Sequence, residues 1–578
     1  MRRLVTFVVA AVLLPATPAA ASPLDDYART TWASLAAMTD PSSGLPADSL
    51  SADGTTSVQT SATNIGAYLW SAVAAERLGL ISHRELVARL DRTLSTLGRM
   101  ERYQGLYYNW YDAHTGAKLT VWPPTGAALT PILSSVDDAW LATGLKVVAA
   151  SVPELSQRAG ALYEAMDFGF FYVPSANRVM FDYTPSTGHV NCCYDTASSE
   201  SRMVDYIGIA KGELPDREYF GRWRTFPDTC DWSWQETRPL GSSRTYFGVS
   251  VFEGAYPYAG TRVMPSWGGS MFEELMPALF VPEERWAPGS WGANHPLVVR
   301  AQIHHGLVDA GYGVWGFSPS NTPEGGYAAY GVDAIGMDPN GNPSNEDHTL
   351  VDHGFAGCPN RPAVPDPAPS AYTNGVVTPH AAFLALRYAP AAAMEDLARL
   401  RGRFPGMYGR WGFRDSVNVQ TRRVSGAYLS LDQGMIMAAL GNALGHDVLR
   451  RAFASFAGPL RPVIGVEEFN ADPRGCTITG TPGDDRLRGT RGDDVICGLG
   501  GDDEISGGGG EDVIYGDAGV DTLSGSGTVY GDDGNDRVTG DGVLSGGPGD
   551  DTLSGRGFLA GGDGTDACRG ASRTDGCE

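Results

Sequence analysis

A chain of 578 residues with 42% hydrophobic content can bury a large core and is too long for one compact domain, so two or more are expected. Its 67 acidic residues outnumber 43 basic ones, for a net charge of −24. That balance argues against nucleic acid or an anionic membrane as partner and fits a secreted protein or one that carries cations.

The N-terminus reads as a leader. Arg2-Arg3, the apolar run Leu4 to Leu14 and Ala19-Ala20-Ala21 supply a basic region, a hydrophobic stretch too short to span a bilayer and a small-residue cleavage site. A signal peptide over 1–21 is expected, with a secreted, extracellular, monomeric product that has no membrane span. Eight cysteines in an exported chain imply disulfides. Cys476 with Cys497 and Cys568 with Cys577 are the favoured local pairs. Cys192, Cys193, Cys230 and Cys358 leave two more bonds, and the adjacent Cys192 and Cys193 are expected to take separate partners.

Helical periodicity predicts helices over Leu24–Met38, Ala62–Leu78, His83–Met100, Val136–Ala150, Pro153–Phe168 and Ser199–Lys211, then over Gly269–Phe280, His295–Ala310, Val377–Tyr388, Ala391–Arg403, Leu429–Ala443 and Asp447–Phe456. Few convincing alternating strands interrupt them. Pairs joined by short turns, repeated about six times without a fixed period, suggest a mainly α domain, an (α/α)6 barrel of inner and outer helices over 22–457. Within it, Ser198 or Ser199 can cap a helix that places Glu200 in the first turn. Five loops mix glycine with aromatic residues, among them Ser266–Ser270, Gly313–Ser318 and Tyr408–Phe413. Rings beside carboxylates and amides suit a sugar, which offers an apolar face and a rim of hydroxyls. Trp267, Trp315, Phe317, Tyr408 and Trp411 are the expected stacking residues.

After a connector over 458–479 the composition changes. Nonapeptides begin at Gly480, Gly489, Gly498, Gly507, Gly516, Gly531, Gly546 and Gly561 and fit G-x-x-G-x-D-x-U-x, with U apolar. The sixth position is always Asp: Asp485, Asp494, Asp503, Asp512, Asp521, Asp536, Asp551 and Asp566. This pattern over 480–578 resembles the RTX-type calcium-binding parallel β-roll of secreted bacterial proteins, in which stacked Asp residues and turn carbonyls supply the oxygen ligands that Ca²⁺ requires. Six-residue inserts beginning at Gly525, Gly540 and Gly555 lack the Asp, so calcium is expected on both edges early in the roll and on one edge later.

A sugar cleft needs a carboxylic acid to protonate the leaving oxygen and a carboxylate to activate water or attack the anomeric carbon. Candidates at helix starts are Asp137, Asp138, Glu200, Glu273, Glu274 and Asp432. The set Ser134–Leu141, Phe168–Tyr172, Ser199–Pro215, Ser266–Pro277, Gly313–Ser318, Tyr408–Asp415 and Tyr428–Met435 resembles the glucoamylase-like domain family, which includes the β-1,2-glucanases of glycoside hydrolase family 144. The resemblance implies a glycoside hydrolase on an (α/α)6 barrel, acting on a β-glucan, with no cofactor for catalysis and Ca²⁺ only as a structural ion in the roll. It implies Glu200 as general acid, with Asp137 and Glu273 as the other catalytic carboxylates. Asp138, Arg202 and Asp432 join the aromatic residues as expected substrate contacts. Two alternatives are a carbohydrate-binding or surface-attachment protein without turnover, and a polysaccharide lyase or metal enzyme using His304, His305, Asp347, His348, Asp352 and His353.

Overall fold

The computed structural model describes residues 22–226, 239–337, 375–472, 474, 476–480, 483–570 and 573–577. The leader, Cys230, Cys358 and the 347–353 cluster lie outside them. Helices follow in chain order as α1 (Pro23–Met38), α2 (Ala62–Arg77), α3 (His83–Leu97), α4 (Ser135–Ser151), α5 (Ser156–Glu164), α6 (Arg202–Lys211), α7 (Met271–Leu275), α8 (Glu283–Trp286), α9 (Trp291–His304), α10 (Pro379–Leu384), α11 (Pro390–Arg403), α12 (Ser430–Leu444) and α13 (Val448–Ala454).

α2, α4 and α12 are apolar on nearly every side and almost wholly buried. A helix of that composition belongs inside a helical ring. α3, by contrast, buries one stripe through Leu86, Leu90, Leu94 and Leu97 and packs on α2. α2 contacts both α4 and α12, α4 contacts α6, and α10 touches α7 and α12. Arg202 of α6 links it to α7 by donating to the Glu273 carbonyl at 2.7 Å. The inner ring among the described residues is therefore α2, α4, α6, α7, α10 and α12, with α1, α3, α5, α9, α11 and α13 outside: the toroid that the helix pairing suggested. Close packing within the ring uses glycine. A Cβ on Gly66 of α2 would sit 2.3 Å from the Trp140 carbonyl oxygen of α4, and one on Gly144 would sit 2.7 Å from the Gly66 carbonyl oxygen.

Several boundaries differ from expectation. α6 begins at Arg202, after Glu200: of the two expected caps, the Ser198 hydroxyl donates to Glu274 and the Ser199 hydroxyl accepts from the Ser201 N–H at 3.3 Å. The run to Phe280 is α7 followed by a 3₁₀ turn at Pro277–Leu279, where proline supplies no N–H to continue the helix. An antiparallel hairpin, Leu240–Tyr246 with Val249–Tyr258, extended by Thr261–Val263, was not legible, since its first strand is exposed and rich in Gly and Ser. Cys192 and Cys193 bond to each other rather than to separate partners. The peptide between them is cis and their Cα atoms lie 3.1 Å apart. Cys476–Cys497 and Cys568–Cys577 are paired as expected.

The segment after α13 is pinned to the toroid. Glu467 is buried, accepting from Arg224 Nε at 2.6 Å and from Tyr219 at 2.5 Å. Further on, Asp472 accepts from Arg262 at 2.9 Å. Removing one partner of a buried ion pair leaves the other charge stranded. Glu467→Ala should destabilise the toroid by about 3 kcal/mol in thermal or urea denaturation.

Beyond this segment the chain forms a parallel β-solenoid of about six turns. Leu487, Ile505, Leu523, Val538, Leu553 and Cys568 align in one column, and Ile478, Ile496, Ile514, Val529, Leu544 and Leu559 in the other. These apolar residues fill the space between the two sheets. Pairing offsets are 18 residues in the early turns, shown by Leu487 against Ile505, and 15 later, shown by Leu523 against Val538.

Candidate active site and repeat sites

The starts of the inner helices converge on one mouth of the ring. There a cleft of about 720 Å³ is lined by Asp48, Ser61, Thr63 and Asn64 around the start of α2, Val136 and Asp137 at the start of α4, Glu200 before α6, and Leu429 and Leu431 at α12. Two hairpin-like loops overhang it. One carries Trp122 and Pro124 beside Trp110; the other, built from Ser320–Asn321 and Tyr327–Ala328, brings Asn321 and Tyr327. Trp110 and Trp122 meet edge to face at 5.0 Å, and Tyr327 is 57% exposed.

Glu200 is held at two points. Its backbone N–H donates to Glu273 Oε2 at 2.7 Å, so the Glu273 carboxylate, not a serine, satisfies this free amide. Its own Oε2 accepts from the Trp140 indole N–H. Burial, then the charge of Glu273, push the Glu200 carboxyl well above the usual range, while the Trp140 hydrogen bond pulls the other way. Burial also pushes Glu273 up to about 7. Asp137 accepts from the Thr63 hydroxyl at 2.5 Å and is raised by burial. Of these carboxyls Glu200 is the one held well above the usual range, the direction a general acid requires.

Glu273, expected as a catalytic carboxylate, is buried against the Glu200 amide and does not line the cleft, and the second acid of each pair turns inward. Neighbouring residues on a helix point about 100° apart, so only one of two can face the cleft. Asp138 is fully buried and accepts from the Tyr107 backbone N–H at 2.9 Å. Glu274 accepts from His295 Nδ1 at 2.7 Å and from Asn294 at 3.0 Å. Arg202, expected at the substrate, is also fully buried and pairs with Glu283 at 2.7 Å. Burial raises Glu283, but Arg202 and His295 overcome that and bring it down to about 2. Asp138 and Arg202 are thus interior struts and not substrate contacts.

The aromatic expectations also shift. Trp315 and Phe317 are 1% and 0% exposed and belong to the core. Glycines at 313 and 316 let their loop fold onto the barrel; a Cβ on Gly316 would sit 2.9 Å from the Thr378 carbonyl oxygen. Tyr408 spends its hydroxyl on Asp26 and its ring against Tyr27 and Phe413. Trp411 packs edge to face on Tyr428 under Arg410, and Trp267 is half-buried in a strand beside Ser198. Neither Trp267, Tyr408 nor Trp411 lines the 720 Å³ cleft. Asp432 is buried and pushed up to about 7, and it pairs with Asp415, whose carboxyl burial and the Asp432 charge raise further. Cleft residues not singled out from the sequence are Asp48, Trp122, Asn321 and Tyr327. Burial raises Asp48, whose oxygens accept from Asn64 at 2.9 Å and Gln59 at 3.4 Å.

Of the six alternative metal ligands, His304 and His305 lie among the described residues. His304 and His305 face Asp309 at 3.2 and 3.6 Å. The one group with ligand-type spacing there is Asp472, Cys476 and Cys497, and its two sulfurs form a disulfide.

In the solenoid the repeat Asp residues stack. Asp485, Asp503, Asp521, Asp536 and Asp551 each donate their backbone N–H to Oδ1 of the next Asp in the column, at 2.8–2.9 Å, ending on Asp566. On the other edge Asp494 donates to Asp512 at 3.0 Å. Oδ2 of Asp503, Asp512, Asp521, Asp536, Asp551 and Asp566 is buried without a partner. These oxygens lie against glycines: a Cβ on Gly507 would meet Asp512 Oδ2 at 2.1 Å. Burial and the neighbouring Asp charges push Asp521 up to about 6 and Asp536 up to about 7. A column of orphaned hard oxygens beside glycine turns is the donor set a Ca²⁺ ion fits.

Comparison with known proteins agrees on both parts. A family model described as "Putative glucoamylase" matches residues 244–457, a "Protein of unknown function (DUF3131)" model matches 26–169, and the RTX calcium-binding nonapeptide repeat model matches 477–505, 498–528 and 539–557. The chain joins a glucoamylase-like domain to RTX repeats. The glucoamylase-like domain shares its fold with the endo-β-1,2-glucanase of Chitinophaga pinensis solved with sophorotriose and glucose, at a TM-score of 0.54 and 16% identity over 76% of this chain and 97% of that one. It shares it also with the endo-β-1,2-glucanase of Talaromyces funiculosus solved with sophorose, at 0.53 and 12% identity over 78% and 91%. Among curated relatives, the cyclic β-(1,2)-glucan synthase NdvB of Rhizobium meliloti is 22% identical over 534 residues, which is 68% of this chain and 16% of the relative's length. Among the described residues no helix is long and apolar enough to cross a membrane.

Proposed function

We propose that the protein is a secreted glycoside hydrolase that cleaves a β-glucan, with β-1,2-glucan as the first substrate to test. The observation that carries this reading is Glu200: a carboxyl raised by burial, held by the Trp140 indole while Glu273 holds its backbone N–H, and lining a cleft that also holds Asp137, Trp110, Trp122 and Tyr327. The acid would protonate the leaving glycosidic oxygen, and Asp137 or Asp48 would take the proton of the incoming water. Trp122 and Tyr327 would lie against the apolar faces of sugar rings. The names of the fold neighbours and of the glucan synthase relative point to the linkage. The RTX repeats bind calcium as a structural ion in this reading, and the leader over 1–21 directs export.

The test is release of reducing sugar from a panel of β-1,2-, β-1,3-, β-1,4- and β-1,6-glucans. Hydrolysis of the β-1,2 polymer alone is the expected result. Binding to a glucan without release from any would replace the hydrolase by a carbohydrate-binding protein.

A further inference from the structure

We propose that Trp140 is a positioning residue for the acid: its indole N–H holds Glu200 Oε2, leaving Oε1 as the oxygen that delivers the proton. The proposal rests on the reading of Glu200 as general acid. Trp140 is fully buried on α4, one turn beyond Asp137 and on the same face. Its ring is fixed edge to face with Trp70 at 6.1 Å and against Phe280 at 5.9 Å. Tryptophan can only donate, and a buried indole needs an acceptor. Backbone or a neutral hydroxyl suffices for that elsewhere in this domain: Trp70 donates to the Gly434 carbonyl at 3.0 Å and Trp291 to the Tyr219 hydroxyl at 2.8 Å. Trp140 alone of these three donates to a cleft carboxyl.

The consequence is chemical. As the glycosidic C–O bond breaks, its electron pair stays on the leaving oxygen, which takes the proton from Oε1. Water adds to the anomeric carbon and gives its proton to the opposing carboxylate. Negative charge then develops on Glu200, in a buried site beside Glu273 that opposes it. A preorganised donor at Oε2 meets that charge without reorganisation. It also fixes the carboxyl plane, so Oε1 points into the cleft.

Trp140→Phe keeps most of the ring volume and removes the donor. With an unchanged thermal transition, it should lower kcat by about tenfold to a hundredfold with little change in KM. The alkaline limb of the rate profile should move to higher pH, because a donor that stabilised the ionised acid is gone. A filler role would leave that limb in place, so an unmoved limb overturns the proposal. A second readout needs neither turnover nor the Trp140 variant. In the wild-type protein one indole N–H resonance should shift as pH rises through the ionisation of Glu200, and should stop doing so in Glu200→Gln. If no indole resonance shows that pair of behaviours, Trp140 does not hold the acid, whatever the fate of the hydrolase reading. Should the wild type release no sugar while the resonance behaves as stated, the pairing stands and the hydrolase reading falls.

Discussion

Glu200→Gln should lower glucan hydrolysis by between about 10² and 10⁴-fold while leaving the fold and substrate binding in place. The amide has the shape of the acid and can still accept from Trp140 through its oxygen, so the side chain keeps its position. What it lacks is a proton to give. It also lacks a charge, and the wild-type carboxyl sits in a site where burial and Glu273 both oppose ionisation. The variant should therefore be as stable as the wild type or more so. That sets it apart from Glu467→Ala, which loses stability first. Since the acid acts in its protonated form, wild-type rate should fall as pH rises through the raised pKa of Glu200. The measurement is kcat and binding on one preparation. Retained hydrolysis would remove Glu200 from the role.

Withdrawal of calcium should unfold the solenoid. Residues from Gly480 onward carry 21 acidic and 7 basic side chains, −14 of the whole chain's −24. In the stacked turns these charges are brought close, and six buried Oδ2 atoms have no partner. Cations supply both the missing contacts and the neutralisation, so metal binding and folding are one equilibrium. Chelator added to the full chain should erase the β-sheet signal of the repeats in circular dichroism, and Ca²⁺ should restore it. Protons should partly replace calcium. Asp521 and Asp536 have folded values raised from 3.8 to about 6 and about 7 by burial and like charge. The metal-free solenoid therefore binds more protons folded than unfolded. Its stability is greatest below the unfolded value and falls as pH rises toward neutrality. A metal-free sample that is equally unfolded at pH 5 and pH 8 would contradict this.

The solenoid was legible because its register is written into the spacing: a Gly-rich turn and an Asp recur at fixed offsets, and each apolar position can only point inward. The toroid was legible from helix lengths and pairing. Helix starts offered six carboxylates without choosing among them, and resemblance to the glucoamylase-like family singled out Glu200 and Asp137, which both line the cleft. Helix phase was the harder quantity. Whether Asp137 or Asp138 faces the cleft depends on a rotation of about 100°, which short sequence patterns do not fix. The aromatic loops misled for a related reason. Glycines that bring backbone close to a ligand also bring it close to a core, and at Trp315 and Phe317 the core was the partner. Trp122 sits in an exposed hairpin and Asp48 in an irregular turn, neither with a helix-start pattern to mark it.

The contact between Gly66 and Gly144 bears on how such a protein can diversify. One added methyl group at Gly66 would collide with the Trp140 carbonyl oxygen and move α4, and with it Asp137 and the indole that meets Glu200. These two positions, neither of which lines the cleft, are closed to drift by close packing alone. The overhanging loops with Trp122 and Tyr327 carry no such constraint. Under the hydrolase reading, mutation can reshape which glucan is gripped while the carboxylates stay fixed, so substrate preference and catalytic competence can evolve separately on one scaffold.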